Sequence, residues 1–199
     1  MSKLKHTINS PYLIWVILGI PLLIFTWDYL NDGISYGEYI HLTGDYSAKL
    51  LIATLAVTPL RLMFPNAGWN AWLLRNRRYF GVAAFAYAVP HLLAYAIRLG
   101  SWAGMWADAA DPGLWTGWLA FFIFIPLAVT SNNISMRKMG RNWKLMHRLV
   151  YFSAVLTLAH WFIVAFDPMP AMIHAGVLAI LEVIRLGITY WPRGKQSVA

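Results

Sequence analysis

The sequence contains no cysteine, which excludes disulfide bridges, thiolate metal centres and thiol-based catalysis together. Charge is scarce too: 12% of residues are charged, where a soluble domain carries about a quarter. Acids are the scarcer sign, 8 against 16 Lys and Arg. No internal repeat, low-complexity segment or long linker is visible. The loops between apolar stretches are too short for an extramembrane domain of any size, so soluble chemistry is left to a partner.

What is abundant is apolar surface, with 59% of the 199 residues hydrophobic. So short a chain cannot hide that much from water. A helix that crosses the hydrocarbon core needs about 20 predominantly apolar residues, and such stretches cover about 11–30, 46–64, 79–99, 114–130, 145–166 and 170–190. The expected fold is all-α: an integral membrane bundle of six transmembrane helices in a single domain over 1–199.

Orientation follows from the basic residues, which are retained on the cytoplasmic side of short loops. Lys3 and Lys5, then Arg61, Arg75, Arg77 and Arg78, then Arg137, Lys138, Arg141, Lys144 and Arg148, then Arg185, Arg193 and Lys195 all fall on one side. Asp28, Asp32, Glu38, Asp45, Asp108, Asp111 and Asp167 fall on the other. Both termini are therefore expected in the cytoplasm. The net charge of +8 is explained by this sorting across a bilayer, and no nucleic-acid site is read from it. The first span follows Lys3 and Lys5 as a signal peptide would, yet it is long and lacks a small-residue cleavage site before Asp28. It is expected to stay as an anchor. Trp and Tyr residues near the span ends, such as Trp27, Trp69, Trp106 and Trp191, suit the headgroup layer.

Ionisable residues at membrane depth are costly and point to function. His91 lies in the third span and His147 and His160 in the fifth, while His6, His41 and His174 lie near span ends. Neutral imidazole is a good haem ligand, and bundles build cofactor sites from facing helices. At 1.5 Å per residue, His91 lies about 20 Å from the cytoplasmic face and His160 about 25 Å. Both sit in the outer half, which makes them the best pair for bis-histidine ligation of a b-type haem. Arg98 and Lys49 are the two basic residues outside the charge rule, and either can pair with haem propionates; Arg98 can equally snorkel to the outer interface. His147 lies one turn into its span. The step from it to His160 rises about 20 Å but turns roughly 220°, so the two rings cannot point the same way without a local helix irregularity.

The stretch Thr130-Ser131, Arg137, Gly140, Trp143, Leu145-Met146-His147-Arg148-Leu149-Val150-Tyr151 and His160-Trp161 resembles the core of the ferric-reductase-like transmembrane superfamily. Two further segments, His41-Leu42-Thr43-Gly44 through Lys49 to Thr58-Pro59-Leu60-Arg61, and Arg77-Arg78 with Gly81, His91 and Tyr95, narrow the likeness. Together they resemble the MsrQ (YedZ) family, the haem-binding membrane subunits of the bacterial periplasmic protein-methionine-sulfoxide reductase system. The resemblance covers about residues 38–166.

It implies electron transfer in the bacterial inner membrane. Electrons would pass from the quinone pool or a cytoplasmic flavin reductase, through haem b, to a periplasmic molybdopterin enzyme that reduces methionine sulfoxide in oxidised proteins. The family's haem-associated histidines map onto His91, His147 and His160. Two-haem relatives carry a further histidine where this chain has Arg77, so His147 lacks that partner. One haem or two, or FMN near Arg77, Arg78 and Arg148, are the alternatives. The soluble flavin and nicotinamide domain of the wider superfamily is not expected, which suits a subunit fed by other proteins and not catalytic on methionine sulfoxide by itself. His41, beside Thr43-Gly44, is a candidate for a quinone or partner site. The residues alone also allow a different class, a haem-free transporter that uses its intramembrane histidines as a proton relay.

Overall fold

The fold is that of a computed structural model, described here over residues 10–108 and 111–191. Lys3, Lys5, His6, Arg193 and Lys195, and with them both chain ends, lie outside the described residues. Within them the chain forms helices and no strands: α1 (Pro11–Leu30), α2 (Tyr36–Met63), α3 (Asn70–Leu99), α4 (Trp102–Asp108), α5 (Pro112–Val129), α6 (Asn133–Met139), α7 (Arg141–His147), α8 (Leu149–Val164) and α9 (Met169–Tyr190). The boundaries follow local chemistry. Pro11, Pro112 and Pro170 stand in first turns, where a missing N–H costs nothing. Ser35, Asp111 and Asn132 cap α2, α5 and α6 by accepting from Glu38, Gly113 and Ser135 backbone N–H groups. Gly100, at φ 64, ends α3 in the left-handed conformation a side chain resists.

Among the described residues five helices are long and apolar enough to cross a membrane: α1, α3, α5, the α7–α8 run over Arg141–Val164, and α9. The chain is a multi-pass membrane protein. The helix over the second expected span, α2, is not among the five, because Glu38, Asp45, Lys49 and Arg61 lie along it. It is nevertheless the most enclosed helix. Tyr39, Thr43, Ser47, Leu51, Leu55 and Pro59, spaced every four residues, form one buried face, and Ala48, Ile52 and Ala56 broaden it. The helices α2 and α3 also begin earlier than the apolar runs at 46 and 79 suggest.

In lipid there is no hydrophobic drive between helices, so contacts depend on small residues and hydrogen bonds. The helices pair accordingly. In the α2–α3 pair, the Ser47 hydroxyl donates to the Ala84 carbonyl (2.8 Å). In the α5–α8 pair, the Ser153 hydroxyl donates to the Ala120 carbonyl (3.3 Å). Gly113 and Gly117 let α8 come close to α5: a Cβ at Gly113 would stand 2.9 Å from Val164 Cγ1. Leu51, Leu55, Ala84, Phe124, Ala154 and Leu178 then form a core that joins both pairs with α9. Only Ile14 of α1 is buried. Aromatic edges hold that helix instead, Phe25 on Tyr46 and Trp15 on Tyr79, with the Tyr87 hydroxyl donating to the Leu18 carbonyl (2.9 Å).

The fifth expected span, 145–166, is interrupted. Arg148 N–H bonds to Leu145 O (3.2 Å) and Tyr151 N–H to Arg148 O (3.1 Å), so the ladder tightens by one residue at Arg148. In the last span, Glu182 is ion-paired with Arg185 at 2.7 Å, and Arg185 also meets the Tyr151 hydroxyl. This pairing accounts for the one acid that the charge sorting leaves out.

The Ser47–Ala84 bond gives a direct check. Ser47→Ala keeps the small volume and removes one buried donor, so a loss of about 0.6 kcal/mol is expected in an unfolding titration in detergent. Ser47→Leu, which pushes α3 away, is expected to cost about 1–3 kcal/mol.

Candidate functional site

The helices α2, α3, α5 and α8, with the start of α9, converge on one cavity of about 760 Å³, lined by His41, His91, Trp118, Phe121, Phe124 and His160 among others. His91 comes from α3 and His160 from α8, with ring centroids 6.1 Å apart and planes at 86°. Each ring is tied to a different helix through Nδ1. His91 Nδ1–H donates to the Ile40 carbonyl of α2 (2.9 Å), and His160 Nδ1–H donates to the Gly113 carbonyl of α5 (2.6 Å). A carbonyl only accepts, so the proton of each neutral ring sits on Nδ1 and the lone pair on Nε2. Among the described residues no hydrogen bond engages either Nε2.

Both contacts depend on a missing side chain. A Cβ at Gly44 would lie 2.9 Å from His91 Cε1, and one at Gly117 would lie 2.7 Å from His160 Nδ1. The glycines at 44 and 117 leave the space the imidazoles occupy. The chemistry of this donor set suits a metal held between two nitrogens. Two imidazoles on opposite sides of one metal atom, each nitrogen near 2 Å from it, hold their ring centres roughly 6 Å apart. The separation, the cavity and the free lone pairs fit a haem with two histidine ligands.

Of the other candidate site residues, His41 lines the cavity and the rest lie outside it. Lys49 is ion-paired with Asp45 at 2.6 Å, and it is Asp45, not Lys49, that lines the cavity. Arg98 is exposed and stands over the ring of Tyr36, which lines the cavity, at 5.5 Å. Both cations thus reach the site through one intermediate residue. His41 lines the cavity on its exposed side. His174 packs on Trp161 at 5.2 Å and bonds the Pro170 carbonyl of its own helix (2.7 Å).

His147 is engaged outside the cavity. Its ring stacks on Trp143 at 3.9 Å, and its Nε2 is 3.0 Å from the Thr130 hydroxyl. That hydroxyl already donates its one proton to the Pro126 carbonyl (2.6 Å), so His147 Nε2–H is the donor. Trp143 Nε1–H donates to the Thr130 carbonyl (2.9 Å) and closes the cluster. The irregularity at Arg148 does exist, directly after His147, whose ring meets Thr130 and not the cavity. Arg77 donates to the Thr58 hydroxyl (3.2 Å) and Arg148 is exposed. Arg78, bonded to Asn133 Oδ1 at 2.8 Å, lines a second cavity of about 370 Å³ with Trp15, Tyr79, Asn132 and Asn133.

Sequence reasoning did not single out Gly117, and it takes Gly113 only as part of an Asp111-Pro112-Gly113 turn, whereas Pro112 and Gly113 open α5. Their signal was visible, since two glycines four residues apart in an apolar helix mark close helix contact. Nothing in the sequence told that the close neighbour is a histidine ring.

The family model for the ferric reductase like transmembrane component matches residues 43–158. The chain is 37% identical over 161 residues to the protein-methionine-sulfoxide reductase heme-binding subunit MsrQ of Xanthomonas campestris pv. campestris strain 8004, covering 78% of this chain and 70% of that one. It is 36% identical over 168 residues to the protein of the same name from Xanthomonas axonopodis pv. citri, covering 81% and 73%. For the one from Rhodospirillum rubrum the identity is 38% over 148 residues, covering 72% and 69%. No solved structure matches the chain. The match by family model over more than half of the chain, and the extent of these identities, show that it belongs to the ferric-reductase-like transmembrane family and, within it, to the MsrQ heme-binding subunits.

Proposed function

We propose that the chain is a transmembrane electron-transfer subunit that holds one b-type haem between His91 and His160. The observation that carries this reading is the pair of rings lining one cavity at 6.1 Å, each with Nδ1 committed to a carbonyl and Nε2 free. Haem supplies a one-electron couple. The residues around it bind and orient it: the two imidazoles offer their lone pairs, and Phe121, Phe124 and Trp118 supply apolar and aromatic wall. Arg98, over Tyr36, and Lys49, beside Asp45, are placed to balance propionate charge at the cavity mouth.

The six helices α1, α2, α3, α5, α7–α8 and α9 span the bacterial inner membrane with the Arg-rich connections in the cytoplasm. For α2 the support is its place at the centre of the bundle. Electrons enter at the basic face, from quinol or a cytoplasmic flavin reductase, and leave at the acidic face toward a periplasmic molybdopterin methionine-sulfoxide reductase. That enzyme, and not this chain, carries out the repair of oxidised proteins. The second cavity, with Trp15, Tyr79 and Arg78 around it, supports a place for the donor's ring system, quinone or FMN. His147 belongs to the Thr130–Trp143 cluster beside that face, and a second haem on it would require its Nε2 to leave Thr130. The haem-free transporter has no observation that favours it over this arrangement.

Haem content and reduced spectra test the ligand assignment. His91→Ala and His160→Ala are each expected to lose most bound haem, while His147→Ala keeps a near-complete complement; full haem in the double variant His91→Ala/His160→Ala would refute the pair. The absence of cysteine makes orientation simple to read. Asn66→Cys and Gly140→Cys are expected to react with an impermeant maleimide only from the cytoplasmic side, and Asp32→Cys and Phe166→Cys only from the periplasmic side. At His41, on the exposed rim of the cavity, replacement by Ala is expected to leave the haem spectrum unchanged and slow delivery of electrons to the reductase several-fold.

A further inference from the structure

The two histidine sites repeat one construction on different helices. At the first, the Ile40 carbonyl accepts from His91 Nδ1–H (2.9 Å) and, more weakly, from the Thr43 hydroxyl (3.2 Å), and Gly44 follows. At the second, the Gly113 carbonyl accepts from His160 Nδ1–H (2.6 Å) and from the Thr116 hydroxyl (2.8 Å), and Gly117 follows. Thr43 is fully buried at 0% exposure and Thr116 nearly so at 5%.

Helix geometry explains the pattern. A Cβ leans toward the helix N-terminus, so the side chain at position i+4 covers the carbonyl of residue i. A glycine there opens the carbonyl to a group from another helix. The threonine at i+3 bonds back to the i and i−1 carbonyls, a contact that bends helices and tilts carbonyls off the axis. At Gly81, by contrast, a Cβ would meet Thr54 at an ordinary 3.5 Å, and at Gly176 it would meet nothing within 4 Å. Among the described glycines, those at 44 and 117 are the ones where the missing side chain makes room for an imidazole ring.

We propose that Thr43-Gly44 and Thr116-Gly117 are matched positioning elements. Each glycine opens a helix carbonyl to the Nδ1–H of one ligating imidazole, and the two bonds together hold the ring planes of His91 and His160 near perpendicular. The proposal rests on the haem reading above. It goes further by assigning the tautomer and the ring angle to four residues that do not touch the metal. A hydrogen bond at the far nitrogen fixes a ligating histidine's orientation and raises its basicity. Here the acceptor is main chain, which a side-chain rotamer change cannot withdraw.

The test compares the wild-type holoprotein with Gly44→Ala, Gly117→Ala and the controls Gly81→Ala and Gly176→Ala. Circular dichroism reports folding, haem per chain reports binding, and electron paramagnetic resonance of the ferric state reports the angle between the imidazole planes. The wild type and both controls are expected to give the strongly anisotropic low-spin signal of crossed planes. Gly44→Ala and Gly117→Ala are expected to keep wild-type helix content, to lose most haem, and to show a displaced signal in the fraction that still binds. Wild-type haem stoichiometry with an unchanged signal in both variants would overturn the positioning role. A wild-type signal of the rhombic kind given by parallel planes would overturn the angle, and it needs no variant to fold. A wild type that takes up no haem would instead overturn the functional reading itself, and this proposal with it.

Discussion

Two hydrogen bonds from imidazole to helix carbonyl set the terms for the rest of the molecule. His91 ties α3 to α2 and His160 ties α8 to α5. The site exists only while both helix pairs hold their depth and rotation. Each pair has a second bond of the same type two turns away: Ser47 to Ala84 in one, Ser153 to Ala120 in the other. Every partner in these second bonds lies seven residues from its counterpart in the first, and seven residues return a helix to nearly the same face. A helix that slid or rotated would therefore break both bonds of its pair. Desolvated donors without partners are expensive in lipid, so register is enforced where the site needs it.

The same constraint explains what lies inside and what faces out. Threonine, serine, glycine and alanine fill the contacts between helices, as in Thr43, Ser47, Ala84, Ala120 and Ser153. Large apolar residues such as Leu23, Leu93, Val155 and Ile180 point away from the bundle. This inverts the soluble pattern because the surrounding hydrocarbon welcomes leucine as well as the interior does. The central helix α2 contacts both pairs and pays for its position in composition. It carries the polar atoms that bind its neighbours, and its mean apolarity falls accordingly.

Much of this was legible in the sequence, and the limits have physical causes. Apolar runs located the five helices that are long and apolar enough to cross a membrane, and the proposed orientation rests on charge sorting, because both respond to bilayer-scale forces that act on whole segments. Depth along a helix placed His91 and His160 together, since rise per residue is nearly constant. Rotation was harder to read. The break at Arg148 and the capture of His147 by Thr130 and Trp143 depend on single hydrogen bonds that leave no periodic trace. The correspondence of Thr43-Gly44 with Thr116-Gly117 was also hidden. Two residues are too little to register as a repeat, and their kinship is apparent only when both histidines are seen on the carbonyls one turn before.

Rigidity of this kind bears on electron transfer. A carrier works best when its ligands need not move as charge arrives and leaves, because the cost of reorganising them is then small. A histidine anchored by a carboxylate depends on a side chain with rotamer freedom of its own. Ile40 and Gly113 belong instead to buried stretches of helices whose carbonyls are fixed by the backbone ladder. The threonine hydroxyls at 43 and 116 each share one proton between this carbonyl and the one before it, adding a further contact to the ladder N–H and the imidazole. The arrangement favours a fixed ligand field over an adjustable one. That suits the proposed task of passing electrons between partners on opposite faces, with substrate chemistry left to the partner.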